Sequence, residues 1–500
     1  SYMNLKTLQK GNKKKQSNSL YRMWLQEINN IPNQNDIKKI QHKEAVQRYR
    51  FINKQLNKTL TIDRKKAYDV RSKLDNIFLH PFLGTIIFIS ILALIFQAIF
   101  SWSSYPMDFI DEMFSYLSNY TKTVLPEGVF TSLLAEGIIT GIGGVVIFIP
   151  QIVLLFMFIS VLEETGYMNR VVFLFDKRLK KYGLSGKSII PLISGVACAI
   201  PAVMSTRNID DWKQRLITIL VTPFMTCSAR LPVYLILISV VIPDKYFFIF
   251  NYQGLTLLGL YMLGILMALI SAFVFSKVIK SNFKNHVIIE MPNYKVPVLK
   301  NVLFTIYSKT KSFVFEAGKI ILSISIFLWI LASNGPGDNF KYAEEIIMER
   351  YDNKKKINEL DYEIQSYRLE NSYIGTAGKV LEPILNPLGY DWKIGIAIIT
   401  SFAAREVFVG TLATIFSVGS EKMDTIKEKM SYQRKPNGEL LFNLPTGVSL
   451  MVFYAFALQC MSTIAIVKKE TNSWKWPAIQ FTFMTIIAYI SALIVYQTLS

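Results

Sequence analysis

The sequence predicts an all-α, polytopic membrane protein with seven or eight spanning helices, two broken or re-entrant segments in an inverted repeat, and an N-terminal cytoplasmic helical stalk. Three observations carry that fold class. Of the 500 residues, 51% are hydrophobic and 18% charged, and mean hydropathy is positive at +0.30. This balance is foreign to disordered or fibrous chains and to most soluble enzymes of this size. Apolar runs long enough to span a bilayer recur along the chain. The net charge of +19 is lopsided: residues 1–80 hold 18 Lys and Arg against 6 Asp and Glu, so +12 of it precedes the first long apolar run.

Length justifies each span. A helix rising about 1.5 Å per residue needs about 20 residues to cross about 30 Å of hydrocarbon, where unpaired backbone groups are not tolerated. Seven runs meet this: 82–102, 139–162, 215–242, 255–276, 313–333, 446–467 and 476–498. Two further apolar stretches, 189–206 and 394–416, are interrupted by Gly, Pro, Cys or charge and read as broken or re-entrant segments. No cleavable signal peptide precedes the first span. A polar, basic leader starting at Ser1 without Met is expected to be part of a longer protein or a trimmed chain.

Loop charge sets the orientation, because Lys and Arg near span ends stay on the cytoplasmic side. Residues 1–80 are therefore expected inside. Loop 103–136 has one base, Lys122, against Asp108, Asp111, Glu112, Glu127 and Glu136, and reads as outside. Loop 163–188 carries Arg170, Lys177, Arg178, Lys180, Lys181 and Lys187, and loop 277–311 carries seven Lys; both read as inside. Loop 335–392, with 11 acids against 7 bases, reads as outside, and its Lys341–Glu370 stretch as a solvated, charge-mixed helical excursion. The chain thus divides into a basic helical linker (1–80), a first membrane half (81–333), an extracytoplasmic insertion (334–371) and a second half (372–500). If both broken segments are re-entrant, Lys468 and Lys469 fall inside and the C-terminus outside; if the second crosses, the reverse holds. The charge rule leans to the first.

The leader has helical periodicity over 36–73, with Ile37, Ile40, Val46, Phe51, Ile52 and Leu56 apolar among bases. Attraction to anionic lipid headgroups is expected, at about 1 kcal/mol per well-placed base. Nucleic acid is not an expected partner, since no recognised motif accompanies the charge. Three cysteines in apolar surroundings are no disulfide framework.

An internal repeat is the most informative pattern. Tyr167 and Tyr373, Gly183 and Gly389, and Lys187 and Lys393 are each 206 residues apart, and Ser194 and Ser401 are 207 apart. Each copy follows a span and precedes another carrying a cysteine, Cys227 or Cys460. By loop charge the first copy starts inside and the second outside, the architecture of alternating-access transporters.

Proline removes one N–H and frees the carbonyl four residues earlier. Pro201 is expected to free Ala197, beside Cys198, and Pro232 to free Ser228, beside Cys227. Thiolate and carbonyl together suit iron, zinc or copper over magnesium or calcium. Cys460 is a third candidate ligand, with no proline near it, and Met204, Met225 and Met461 offer thioethers. A buried cysteine is ordinarily an inert small hydrophobe, so the repeat and the paired prolines carry this reading. Intramembrane charge points to function or obligatory pairing, which singles out Arg230, Arg405 and Glu406. Glu406 either binds the cation or pairs with Arg230 or Arg405, pairing being favoured. Glu163 and Glu164 are explained by exposure at a span end. Gly183–Ser188 (GLSGKS) resembles a phosphate-binding loop but has Lys181 where its first glycine must be. There is no HExxH, GxSxG or CxxC, and His42, His80 and His286 all lie outside the apolar spans.

At these residues the chain resembles the ferrous iron transport protein B (FeoB) family. The stretches that match are Gly183–Arg207 (GLSGKSIIPLISGVACAIPAVMSTR), Arg215–Tyr234 (RLITILVTPFMTCSARLPVY), Phe402–Leu412 (FAAREVFVGTL) and Lys468–Trp476 (KKETNSWKW). Weaker similarity at Gln47–Ile52 and Leu125–Gln151 extends it over roughly 40–499. The resemblance implies a bacterial inner-membrane permease whose gate regions, 184–207 and 393–416, surround an Fe(II) path. Cys198 and Cys227 are the family's cysteines, and Ser194, Met204, Ser228, Arg230, Ser401, Arg405 and Glu406 are candidates for the cation path or its gating. Many members have a proline before the last cysteine, where this chain has Ala457-Leu458-Gln459, which sets Cys460 apart. Members begin with a G-protein domain that binds GTP and Mg2+ and hydrolyses GTP. Residues 1–80 resemble the linker after it, so the expected activity is permeation, not catalysis. The expected partners are membrane lipid and the G-protein domain in cis or in trans, with small cytoplasmic accessory proteins and a second copy of the chain as candidates. The competing readings are a gate-type carrier of nucleosides or another small solute, which calls for a pocket rich in Asn, Gln and Glu, and a non-transporting scaffold.

Overall fold

The computed structural model describes residues 34–59, 70–126, 128–247, 250–279, 293–350, 357–402, 405, 407–415, 423–434, 438 and 440–500. The chain forms two units, Ser1–Lys73 and Leu74–Ser500. In the first, α1 (Gln34–Thr59) is the helix expected from the leader's periodicity, with Tyr49, Phe51, Ile52 and Leu56 exposed along it. Residues 60–69 of the expected stalk lie outside the described residues. A short helix, α2 (Val70–Phe78), leads into the second unit.

That unit is helical apart from a two-residue-per-strand hairpin, β1 (Tyr246–Phe247) with β2 (Phe250–Asn251), and an isolated bridge between Arg434 and Leu440. Its first two long helices are α3 (Leu83–Val124) and α4 (Val129–Glu164), the latter carrying a π-helical stretch at Leu133–Ile139. There follow α5 (Tyr167–Leu179), α6 (Ile189–Ala197), α7 (Ala199–Ser205), α8 (Trp212–Val221), α9 (Leu231–Val241), α10 (Tyr252–Val278) and α11 (Leu299–Ser333). Beyond a turn at Asp338–Lys341, α12 (Ala343–Arg350) and α13 (Ile357–Asn371) form the charge-mixed excursion. The second half comprises α14 (Tyr373–Leu385), α15 (Trp392–Thr400), α16 (Val407–Ile415), α17 (Met423–Tyr432), α18 (Leu444–Phe456), α19 (Met461–Thr471) and α20 (Lys475–Leu499). Among the described residues seven helical runs are long and apolar enough to cross a membrane, and they coincide with the seven expected from the sequence.

Three details depart from expectation. The first span does not end near residue 102: α3 continues for 42 residues through Pro106 to Val124, so the acidic 103–124 stretch is helix rather than loop. Residues 215–242 are not one rod. The chain leaves the helix after Val221, where Pro223 has no N–H to continue it, and re-enters at Leu231. Residues 446–467 are likewise split between Phe456 and Met461, where no proline stands.

The repeat is visible residue for residue. In each copy a 13-residue helix (α5, α14) is followed by a three-residue 3-10 turn (Lys180–Tyr182, Asn386–Leu388) and a left-handed glycine, Gly183 at φ +78° and Gly389 at φ +77°. Each copy then enters a broken hairpin, α6–α7 or α15–α16, that returns to the end of the bundle where it began. At the first end, Lys187 Nζ lies 2.6 Å from Asp210 Oδ2, and Arg170 Nε donates to Asp75 Oδ1 at 3.1 Å. Glu470, its side chain 3% exposed, accepts from Arg207 Nε at 3.0 Å and Arg215 Nη2 at 2.8 Å, so Lys468 and Lys469 share that end. At the other end, Tyr373 N–H bonds Asn334 C=O, Ser366 Oγ bonds Ile415 C=O and Gln497 Nε2 bonds Pro387 C=O. The copies therefore start from opposite ends, and the C-terminus lies opposite Asp75.

The α18–α19 run forms the centre, 78% of its most apolar window being buried, whereas α11 lies at the periphery with 6%. The main core gathers Phe224, Tyr234, Phe408 and Tyr454 around these central helices.

Candidate functional site

Four helices break at the centre of the bundle, and each described cysteine occupies a break. Cys198 (φ −156°, ψ 135°), Cys227 (φ −86°, ψ 163°) and Cys460 (φ −155°, ψ 102°) are all extended, each capping the helical turn that follows. The fourth break, after Thr400, contributes Arg405. Pro201 and Pro232 stand in the first turns of α7 and α9, where a missing N–H leaves no helical bond unmade. At 457–460 tertiary contacts take the place of proline. The Ala457 carbonyl accepts from Arg405 Nη2 at 3.1 Å and Arg230 Nη2 at 3.5 Å, the Gln459 carbonyl from Arg405 Nε at 3.4 Å, and Met461 N–H donates to Phe402 C=O.

The three half-buried cysteines line one chamber of about 110 Å³, with Gln151, Ser228, Arg405 and Thr463 as polar walls and Phe148 and Phe313 among the apolar ones. Arg405 Nη1 donates to Cys227 Sγ at 3.7 Å. Among the described residues no group of three or more His, Cys, Asp or Glu is assembled as a ready metal cage.

Both carbonyls expected to be freed by proline are taken. Ala197 C=O accepts from Ser228 Oγ at 2.9 Å, and Ser228 C=O accepts from Leu231 N–H in the 3-10 turn. Ser228 itself lines the chamber, where Gln151 Nε2 donates to its hydroxyl at 3.0 Å. Ser194 and Ser401 are buried away from it: their hydroxyls donate to Ile190 C=O and Ile398 C=O in their own helices, and Ser401 also accepts from Tyr454 OH. Met204 and Met461 line a neighbouring cavity, while Met225 lines the chamber. Arg230 is fully buried, and its guanidinium faces the Pro223, Phe224, Met225 and Ala457 carbonyls at 3.2 to 3.5 Å. Glu406, the expected partner of Arg230 or Arg405, lies outside the described residues. Gln151, Phe313 and the Ala457 and Gln459 carbonyls were not singled out in the sequence, since nothing local marks an apolar-run residue as facing a chamber.

Family models match both halves of this arrangement. One, described as "Gate: Nucleoside recognition", covers residues 145–240 and 314–474, hence all four breaks; another, "Ferrous iron transport protein B C terminus", covers 257–309. A Fe(2+) transporter FeoB of Campylobacter jejuni is 35% identical over 444 residues, 89% of this chain and 68% of that protein. The chain belongs to the FeoB family. The FeoB of Leptospira interrogans is 46% identical over 456 residues, 91% of this chain and 63% of that protein. A Porphyromonas gingivalis Fe(2+) transport protein A/Fe(2+) transporter FeoB fusion protein is 36% identical over 90% of this chain and 54% of its own length. The chain thus spans about 63% of the length of its Leptospira FeoB relative. No solved structure matches the chain. The family resemblance drawn from the motifs is borne out.

Proposed function

We propose that this chain is the membrane path of a ferrous iron uptake system, carrying Fe(II) inward through the three-cysteine chamber. The observation that carries the reading is the convergence of Cys198, Cys227 and Cys460, each on an extended break, upon a single cavity. Sulfur ligands suit Fe(II) over the more abundant Mg(II) and Ca(II), and an incompletely assembled ligand set suits a site that must release its ion as readily as it binds. A membrane potential of about 100 mV, negative inside, favours inward movement of a divalent cation by about 4.6 kcal/mol, so selectivity and gating are the tasks left to the protein.

The Asp75 end, rich in Arg and Lys, faces the cytoplasm in this reading, as the positive-inside rule requires. A GTP- and Mg2+-binding G domain, in cis or in trans, acts on the path through the leader. The fusion of Fe(2+) transport protein A to FeoB in the Porphyromonas gingivalis relative supports a small accessory partner of that kind. The gate description favours a nucleoside carrier as second reading. Against it stand the walls of the chamber, where Gln151 is the single amide or carboxylate side chain among the described lining residues and a nucleoside calls for several of Asn, Gln and Glu.

The test is Fe(II) flux into proteoliposomes holding the purified chain, compared with the Cys198→Ser/Cys227→Ser variant and with added nucleoside. Loss of flux in the variant and indifference to nucleoside support the iron path. Unchanged flux and selectivity in the variant would refute the thiolate role, and inhibition by nucleoside would favour the carrier.

A further inference from the structure

A second cavity, of about 670 Å³, adjoins the chamber and reaches Lys468, Lys469 and Trp474 at the Asp75 end of the bundle. The two cavities share three lining residues: Ile200, Phe313 and Ser462. All three are buried, Phe313 at 4% exposure. We propose that Phe313 is the valve between the cysteine chamber and this vestibule, the point at which passage toward the Lys468 end opens and closes. The proposal rests on reading the chamber as a permeation path.

Three features single out Phe313 among the shared residues. It has the largest side chain of the three, and its ring packs into the apolar cluster of Ile152, Phe156, Ile200 and Met204, so that Ser462 is the one polar residue among the three shared at the junction. A hydrophobic constriction of this kind closes by excluding water and opens when the side chain withdraws. Ile200 and Ser462 are held differently. They sit in the first turns of α7 and α19, whose positions are fixed by the interlocked breaks at Cys198 and Cys460.

Phe313, in contrast, rides on the peripheral α11, which is free of those breaks. The hydrogen bonds that hold the segment leading into α11 at the Asp75 end include Tyr294 OH to Asp75 Oδ1 at 2.7 Å and Val298 N–H to Glu164 Oε2 at 2.7 Å. A movement of α2, which carries Asp75 and Phe78, therefore reaches the segment leading into α11 through their contacts with Tyr294. Phe313 lies between the two stretches matched by the family models, 257–309 and 314–474.

The chain has only three cysteines, and all of them line the chamber, so any thiol labelling reports on the chamber alone. The experiment uses membrane vesicles of both orientations holding the full chain. The rate of modification by a membrane-impermeant, positively charged methanethiosulfonate is measured from each face, alongside Fe(II) flux. Phe313→Ala is expected to speed labelling from the Lys468 face about tenfold and to leave labelling from the other face unchanged, as expected when a closed junction is shifted toward open. Phe313→Trp is expected to slow it, with Phe313→Leu in between, and these two decide the matter if the Ala variant does not elute as a single folded species. Labelling rates from the Lys468 face that do not change across the series overturn the valve. The two readings separate cleanly: absent Fe(II) flux in every variant with the labelling pattern intact overturns the permeation reading and keeps the division of the cavities, whereas normal flux with indifferent labelling does the opposite.

Discussion

The guanidinium groups of Arg230 and Arg405 converge on one atom, the carbonyl oxygen of Ala457, at 3.5 and 3.1 Å. The first arginine belongs to the first half of the chain and the second to the repeat, and both are buried, Arg405 at 5% exposure. Bringing two cations together in the core is tolerable only because backbone carbonyls from two broken helices are turned toward them. The breaks thus supply acceptors for the arginines, and the arginines hold the breaks open.

Arg230→Gln is expected to destabilise the protein, because carbonyls left without donors cost about 1–3 kcal/mol each to keep buried. Arg230→Lys should recover only part of this, as an ammonium lacks the planar fork that addresses several carbonyls together. Thermal unfolding of the purified variants in detergent measures both; an unchanged midpoint in Arg230→Gln would dissociate the arginine from the architecture of the breaks.

A thiolate ligand must lose its proton before it binds a metal, so cation binding in the chamber should release protons and weaken as pH falls. Co(II), used as a spectroscopic stand-in for Fe(II), should show sulfur-to-metal charge-transfer absorption that drops stepwise in Cys198→Ser, Cys227→Ser and Cys460→Ser. Cys227→Ala should have a further effect, since it also removes the acceptor of Arg405 Nη1. Charge-transfer bands that survive in the triple variant would place the metal elsewhere.

Hydropathy and spacing revealed the seven spans and the 206-residue repeat, because burial in lipid is written into runs of apolar residues and duplication into register. The breaks were only half legible. Pro201 and Pro232 mark two of them locally, whereas Ala457–Cys460 contains no breaker and opens because Arg230 and Arg405 draw its carbonyls out of the helix. The same tertiary competition explains the misplaced carbonyls: the Ala197 oxygen lies at the end of α6, and the Ser228 hydroxyl from another break captures it. The length of α3 was missed because residues beyond 102 form an amphipathic helix whose acidic side chains resemble a loop in any hydropathy reading.

The matched glycines of the repeat offer a paired test. Gly183 and Gly389 hold φ near +78°, and an added Cβ would lie 2.2 Å from Ser276 Cβ in one case and 2.2 Å from Tyr496 Cε2 in the other. Substitution by Ala therefore adds a clash to a left-handed backbone penalty of roughly 1–2 kcal/mol. Gly337, at φ +94° with nothing within 4 Å of such a Cβ, carries the backbone penalty alone. The expected order of thermal midpoints is wild type, then Gly337→Ala, with Gly183→Ala and Gly389→Ala lowest. Equal losses at all three would show that the close approach of the helices at the two repeat turns contributes nothing.

Asp75 joins three elements: it accepts from Arg170 Nε at 3.1 Å and from Tyr294 OH at 2.7 Å, while the Arg170 guanidinium lies 4.1 Å from the centre of the Tyr294 ring. Burial and the bond to Asp75 push the Tyr294 hydroxyl up to about 12. A group whose value is raised on folding stabilises the fold below its unfolded value, about 10 for tyrosine, and loses that contribution as pH climbs through the folded one. The contact should therefore be intact across the physiological range and fail only in strong alkali, where tyrosinate absorption follows the ionisation directly. Asp75→Asn leaves the fully buried Arg170 side chain without its carboxylate, with an expected loss of about 1–3 kcal/mol, less than for a pair buried on both sides because Asp75 keeps some solvent contact. If α2 drives α11 through this carboxylate, Asp75→Asn should also blunt any response of Fe(II) flux to a supplied G domain, while basal flux persists. A flux response equal to wild type, with the stability loss present, would reduce Asp75 to a fastening at the end of the bundle.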